Sequence, residues 1–319
     1  MTLKACLIFN PVAGQGNPDV DLAEIESLLT PAIDLEIVVT TAECEPGELA
    51  TAAIARGAEA IIASGGDGTL SAVAAALMST NIPLGIISRG TANAFANALG
   101  LPTNIPEACE SIVAGFTQTV DMARCNGLPM VLLAGIGFEA ETVNLADRNA
   151  KNRFGMLAYI LAGIKQVGSL SQFEVEIELA DKTISVSAAA ITIANAAPAT
   201  SILAQGASEI VFDDGMLDLT IVAPATPLIA IATAFDLLSS TLRGMASQRE
   251  DVGFLRSKYF KVTATPPQKV VLDGEVIGMT PIEVECIPGG LTVFVPLVEE
   301  VQPSEKLEGL PNLKIDMKV

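Results

Sequence analysis

The sequence predicts an α/β fold: a doubly wound parallel sheet over residues 1–121, then a mainly antiparallel β domain over 122–298. Three observations carry this expectation. Up to Leu99, short apolar runs alternate with helix-period stretches, the rhythm of parallel strands joined by crossover helices. Three of those apolar runs end in turns that combine glycine with Asn, Asp or Thr, on the strand edge where open α/β sheets take ligands. Beyond Asp121, hairpin signals and extended runs take over.

The elements follow in order. A strand over Lys4–Phe9 leads to a helix over Asp19–Leu29, with Asn17 as N-cap and Pro18 at the first helical position. A strand at Leu35–Thr40 precedes a helix at Glu48–Arg56, closed by Gly57. A strand at Ala60–Ala63 runs into glycines, then a helix at Leu70–Met78. A strand at Leu84–Ile87 and a helix at Ala92–Leu99, stopped by Gly100 and Pro102, complete this half. Next, Thr119–Cys125 and Pro129–Ile136 flank Asn126-Gly127, a strong hairpin signal. A helix is expected at Phe154–Val167, a hairpin from Phe173–Leu179 and Thr183–Ala194, and a helix at Leu228–Leu242. Strands are expected at Leu217–Val222, Tyr259–Thr265, Lys269–Leu272, Ile282–Cys286 and Leu291–Val295. The tail, 299–319, is expected to fold back onto the first domain.

Composition narrows the chemistry. The 319-residue chain is 50% hydrophobic and 17% charged, so a large core is available. It contains no histidine, which removes Ser-His-Asp triads, Cys-His pairs and HExxH zinc sites. A general base must then be sought first among Asp and Glu. Five cysteines, none in a CxxC pair, suggest a reducing, cytoplasmic setting with buried thiols. The start shows no export signal, and the apolar run from Pro227 to Ser240 is too short to span a bilayer. The net charge of −19 disfavours nucleic acid as a partner and keeps an apolar chain soluble.

Gly65-Gly66-Asp67-Gly68-Thr69 is the most telling segment. Glycines allow close backbone approach, and the amides of a turn opening a helix point at an anion. Asp67 would repel phosphate unless a metal, a hydroxyl or an amide stands between them. Two further turns, Asn10-Pro11-Val12-Ala13-Gly14 and Arg89-Gly90-Thr91-Ala92-Asn93, end other strands of the same set. Far down the chain lie Asp213-Asp214-Gly215-Met216-Leu217-Asp218 and the hairpin Asp273-Gly274-Glu275.

With these five segments in this order, the chain resembles the diacylglycerol kinase catalytic-domain family, which includes soluble bacterial lipid kinases and sphingosine kinases. The resemblance implies an α/β nucleotide domain, related in plan to NAD kinase, facing a β-sandwich across a cleft. It implies ATP- and Mg²⁺-dependent phosphorylation of a lipid hydroxyl, diacylglycerol-like or long-chain-base-like. Asn10, Pro11, Gly14, Gly65, Gly66, Asp67, Gly68, Thr69, Thr91 and Asn93 would meet ATP, with Thr41 or Thr40 joining them. Glu275 would be the general base, and Asp273 would support Mg²⁺ or position phosphates. A second Mg²⁺ site maps to Asp214 with the backbone oxygens of Met216 and Val211.

Three departures stand out: Ala94 where the family carries Asp, Arg89 where it carries leucine, and Ser201–Gly206 in place of a glycine-rich patch. Two other readings compete, an NAD kinase-like enzyme and a catalytically weak lipid- or nucleotide-binding regulator. A lipid acceptor requires transient membrane-surface contact by a peripheral, cytoplasmic protein, and a homodimer is compatible with it. The contact is expected from the segment Arg243–Lys261, with Arg249, Arg256, Lys258, Met245, Phe254 and Leu255, joined by Arg148, Lys151 and Arg153.

Overall fold

The computed structural model describes residues 2–14, 16–137, 172–198, 201–204, 210–224 and 247–297, with isolated positions between 226 and 245. Its first half alternates β1 (Leu3–Phe9), α1 (Pro18–Leu29), β2 (Ile33–Val39), α2 (Pro46–Ala55), β3 (Ala60–Gly65), α3 (Asp67–Leu77), β4 (Leu84–Ser88), α4 (Ala94–Ala98) and α5 (Ile105–Ala114). β2, β1, β3 and β4 pair in that order, all parallel. β3 and β4 are buried along their whole length, because helices cover both faces. On one face, Ile25 and Leu29 of α1 and Cys109 and Ile112 of α5 pack onto Leu7, Phe9 and Ile62. On the other, Ala50 and Ala53 of α2, Leu70, Val73 and Leu77 of α3, and Phe95 of α4 pack onto Cys6, Ile8, Ile61 and Ala63.

The second half adds β5 (Thr117–Cys125), β6 (Leu128–Met130), β7 (Leu133–Gly137), β8 (Phe173–Glu178), β9 (Thr183–Ala188), β10 (Ala190–Ala194), β11 (Leu217–Val222), β12 (Val252–Ser257), β13 (Tyr259–Thr265), β14 (Lys269–Leu272), β15 (Glu275–Met279) and β16 (Ile282–Phe294). One six-stranded antiparallel sheet runs β12-β11-β10-β7-β14-β15. The other strands extend the parallel sheet, which continues from β4 through β16, β13 and β8 to β9, with β5 and β6 branching from β16. Phe173, Ile177, Phe260 and Val262 of this sheet meet Ile136, Ile191, Leu219 and Val270 of the other, closing a sandwich.

β16 ties the halves together. Its first residues pair antiparallel with β13, while Val293 sits beside Leu84 of β4. The sequence reads as two strands here because Pro288-Gly289-Gly290 looks like a breaker. The structure instead makes one strand with a register break between Ile287 and Leu291. A Cβ on Gly290 would lie 2.7 Å from Met122 Cβ, so glycine is needed for β5 to approach.

The opposite error occurs twice. Pro129–Ile136 breaks at Val131-Leu132, with β6 pairing β5 and β7 pairing β10 and β14. Thr183–Ala194 breaks at Ala189, with β9 in one sheet and β10 in the other. A chain that changes sheets without turning keeps its apolar pattern, so sequence shows no boundary. α5, β12 and β15 were not expected at all. α5 does carry its signals: Asn104 accepts from the Glu107 amide at 3.0 Å, Pro106 sits in its first turn, and Gly115 closes it at φ +75°. The expected helix at Phe154–Val167 and the tail 299–319 lie outside the described residues, and positions 229, 232, 233, 236, 237 and 239 are helical.

Cys6, Cys109, Cys125 and Cys286 are buried free thiols, and burial pushes them up to about 11 or 12. Cys44 is free and exposed. Among the described residues no helix is long and apolar enough to cross a membrane.

Candidate functional site

The ends of β1, β3 and β4 bring three turns into contact. Asn10 donates through Nδ2 to Thr69 Oγ1 at 2.8 Å, and its amide donates to the Ser64 carbonyl at 2.8 Å. Its own Oδ1 accepts from the Val12 amide at 3.1 Å, curling the turn through Pro11. Gly14 has φ +90°, and a Cβ there would lie 3.0 Å from the Arg89 carbonyl oxygen. A Cβ on Gly65 would lie 2.7 Å from Thr69 Cβ, so a side chain there would displace the start of α3. A Cβ on Gly90 would lie 3.1 Å from Gly66 Cα, so these two turns stack back to back.

α3 begins at Asp67, three residues before the helix expected at Leu70. Asp67, Gly68 and Thr69 are therefore its first turn, whose amides have no acceptor inside the helix. Gly68 lowers helix propensity, which hides the start in sequence. Asp67 also bonds across: its Oδ1 accepts from the Phe95 amide at 3.1 Å, so it caps α4. It thus brings a carboxylate to the α4 N-terminus, next to Ala94. Asn93 sits just before α4 at φ +47°, and its buried Oδ1 has no protein partner. Thr91 and Gly68 are exposed. Thr41 is exposed beyond β2, whereas Thr40 is buried and donates its amide to the Phe9 carbonyl.

Arg89 is not a loose cation of the cleft. It is buried beneath the turns, pairs with Asp21 of α1 at 2.8 Å, and lies 4.4 Å over the Phe9 ring. Its Nη1 donates to the Asn10 carbonyl at 2.9 Å, fixing the first turn. Arg89→Met should strand Asp21 and cost about 3 kcal/mol, read as a lower urea midpoint with unchanged slope.

The Asp273-Gly274 turn joins β14 to β15 with φ +47° and +93°. The Asp273 carboxylate accepts from three successive amides, Val131 at 2.7 Å, Leu132 at 2.8 Å and Leu133 at 2.9 Å. These amides lie where the chain passes from β6 to β7. Burial pushes the Asp273 carboxyl up, the three amides pull it down, and the nearby Asp67 carboxylate pushes it up again. Val131 and Leu132 share a core with Phe95 and Ala96 of α4. The hairpin is thus anchored to a segment that shares the core of the first half, and Glu275 stands exposed at the start of edge strand β15. Asp273 was expected at metal or phosphate. Here both its oxygens accept backbone amides.

The Asp213–Asp218 loop is organised by a residue the sequence reading passed over. Asp121 accepts from the Gly215 amide at 2.6 Å and the Gly289 amide at 2.8 Å, pinning the loop to β16. Asp214 accepts from the Met216 amide at 3.1 Å, and its other oxygen pairs with Arg256. Both Asp214 oxygens thus already have a partner, and Val211 and Met216 would add only backbone oxygens to a metal here. The expected basic surface is also altered, because Arg249 pairs with Asp251 and Lys261 with Glu178. Arg256 and Lys261 belong to strands of different sheets. Met245 and Phe254 remain exposed, Leu255 is partly buried, and Arg148, Lys151, Arg153 and Arg243 lie outside the described residues.

A parallel sheet with stacked glycine turns, continued into a β-sandwich that carries an anchored acidic hairpin, defines the class. A family model described as the diacylglycerol kinase catalytic domain matches residues 4–125, and one described as the YegS C-terminal, NAD kinase β-sandwich-like domain matches residues 133–295. An uncharacterized Synechocystis protein is 50% identical over 302 residues, 91% of this chain and 70% of that protein. A Bacillus subtilis diacylglycerol kinase is 29% identical over 315 residues, 97% of this chain and 99% of its own. A Bacillus anthracis crystal structure superimposes with a TM-score of 0.76 at 26% identity, covering 92% of this chain and 97% of that one. The chain belongs to the diacylglycerol kinase catalytic-domain family, a family of lipid kinases.

Proposed function

We propose that this chain is a kinase that moves the γ-phosphoryl group of ATP, with Mg²⁺, onto a hydroxyl of a lipid. One observation carries the reading. The turns after β1, β3 and β4 touch one another at one sheet edge, and the Asp273–Glu275 hairpin is tied by three amide bonds to a segment that shares their core. Gly65 and Gly90 let the turns pack closely, and Gly68 has nothing within 4 Å of where a Cβ would stand, so phosphate can approach backbone there. Free first-turn amides of α3 supply donors, while Thr69, Thr91 and Asn93 supply side-chain contacts. Mg²⁺ supplies charge neutralisation when bound with the nucleotide, and Asp67 is the carboxylate of this edge that would meet it.

Glu275 accepts the proton of the lipid hydroxyl. The hydroxyl oxygen then bonds to the γ-phosphorus, the bond from phosphorus to the β–γ bridging oxygen breaks, and ADP leaves. In a histidine-free chain a carboxylate at this position is the natural base. The acceptor sits in a bilayer, so the protein works at the surface of the membrane, with exposed Phe254 and Met245 available for contact.

The test is radiolabelled ATP with a panel of diacylglycerols, long-chain bases and total lipid extract. Label is expected in the organic phase. Label appearing only in NADP, or in no lipid, would reject the proposal. Asp67→Ala should remove both the α4 cap and the phosphate-edge carboxylate. Nucleotide affinity or turnover should then fall at least about 10-fold, with about 1 kcal/mol lost in stability.

A further inference from the structure

Asp218 is 3% exposed on β11, directly opposite Arg256 on β12 in the antiparallel register. Arg256 Nε lies 2.9 Å from Asp218 Oδ1, and its Nη2 lies 2.5 Å from Asp214 Oδ2. One guanidinium therefore bridges a buried carboxylate on the sheet and a partly exposed one on the loop. Two amides of the loop are also held, Gly215 by Asp121 and Met216 by Asp214, while Asp218 Oδ2 is buried without a hydrogen-bond partner and its charge is met by Arg256 at Oδ1.

We infer that Arg256 is a built-in cation that takes the place of a divalent metal ion in the Asp213–Asp218 loop, so that this loop is held in shape without Mg²⁺. A planar fork suits two carboxylates that approach from different elements, and arginine does not lose its charge. It is covalently delivered by the neighbouring strand, so no free ion competes on equal terms. Mg²⁺ dehydrates reluctantly, and to reach Asp214 Oδ2 it would have to displace the guanidinium already paired there.

The inference concerns the nucleotide-free protein and does not depend on which lipid is phosphorylated. The experiment is thermal unfolding of the full chain without nucleotide, with millimolar Mg²⁺ or with EDTA. Wild type and Asp214→Asn should respond alike, with melting points moving by less than about 1 °C between the two conditions. Arg256→Met removes the internal cation and leaves Asp214 and Asp218 facing one another. It should melt lower in EDTA and regain about 3 °C or more with Mg²⁺. A Mg²⁺-dependent rise in wild type that Asp214→Asn abolishes would overturn the inference, whether or not Arg256→Met folds. An Arg256→Met protein that folds but ignores Mg²⁺ would also count against it.

Discussion

Glu275→Gln should lower turnover about 100-fold or more, with little change in the KM for ATP and none in melting temperature. The amide keeps the shape of the side chain and removes its basicity. Glu275 is exposed at the start of an edge strand, so the substitution disturbs no packing. Steady-state kinetics on a detergent-dispersed acceptor, beside a melting curve, separates the two effects. Turnover equal to wild type would leave the proposed base without support.

Asp273→Ala should behave differently. It leaves the amides of Val131, Leu132 and Leu133 without their acceptor. A stranded amide costs about 1–3 kcal/mol each, with water relieving part, so a loss of about 3 kcal/mol or more is expected. Turnover should fall as well, because the hairpin bearing Glu275 loses its anchor. Asp273→Asn, which keeps one acceptor oxygen, should lie between alanine and wild type in both measurements. A residue acting only on metal or phosphate would lower turnover and leave stability alone. Paired melting and kinetic data on these variants therefore distinguish an anchor from a ligand.

Much of the first half is legible in the residues. β1 to β4 and the helices between them follow from apolar runs, caps and glycines, because β3 and β4 are wholly buried, β1 mostly so, and only edge strand β2 is partly open. Asn17 capping α1 illustrates this, with its side chain accepting from the Asp19 amide. The candidate site is legible in part for the same reason. Gly65 is required by its 2.7 Å approach to Thr69 and Gly14 by its φ of +90°, while Gly90 packs tightly on Gly66. The start of α3 was placed late because Gly68 and Asp67 argue locally against helix, while tertiary packing of Leu70, Val73 and Leu77 imposes it.

The sequence by itself determined the α/β rhythm, the glycine turns, the absence of histidine chemistry and the order of motifs that marks the family. Those are local properties, written in periodicity and residue type. Only the tertiary structure decided where strands change sheets, that β16 joins both halves, and what partners the charged residues take. In sequence Asp121 only marks a change of pattern, Asp273 and Arg89 lie in motifs, and Arg256 belongs to a basic segment. In the fold, Asp121 pins a loop, Asp273 anchors a hairpin, Arg89 braces a turn beneath the sheet edge and Arg256 binds two carboxylates. The reason is physical: a charge that leaves water must be met by partners of matching geometry, and those partners lie 42 residues apart in the Arg256–Asp214 pair and 140 or more from Asp273.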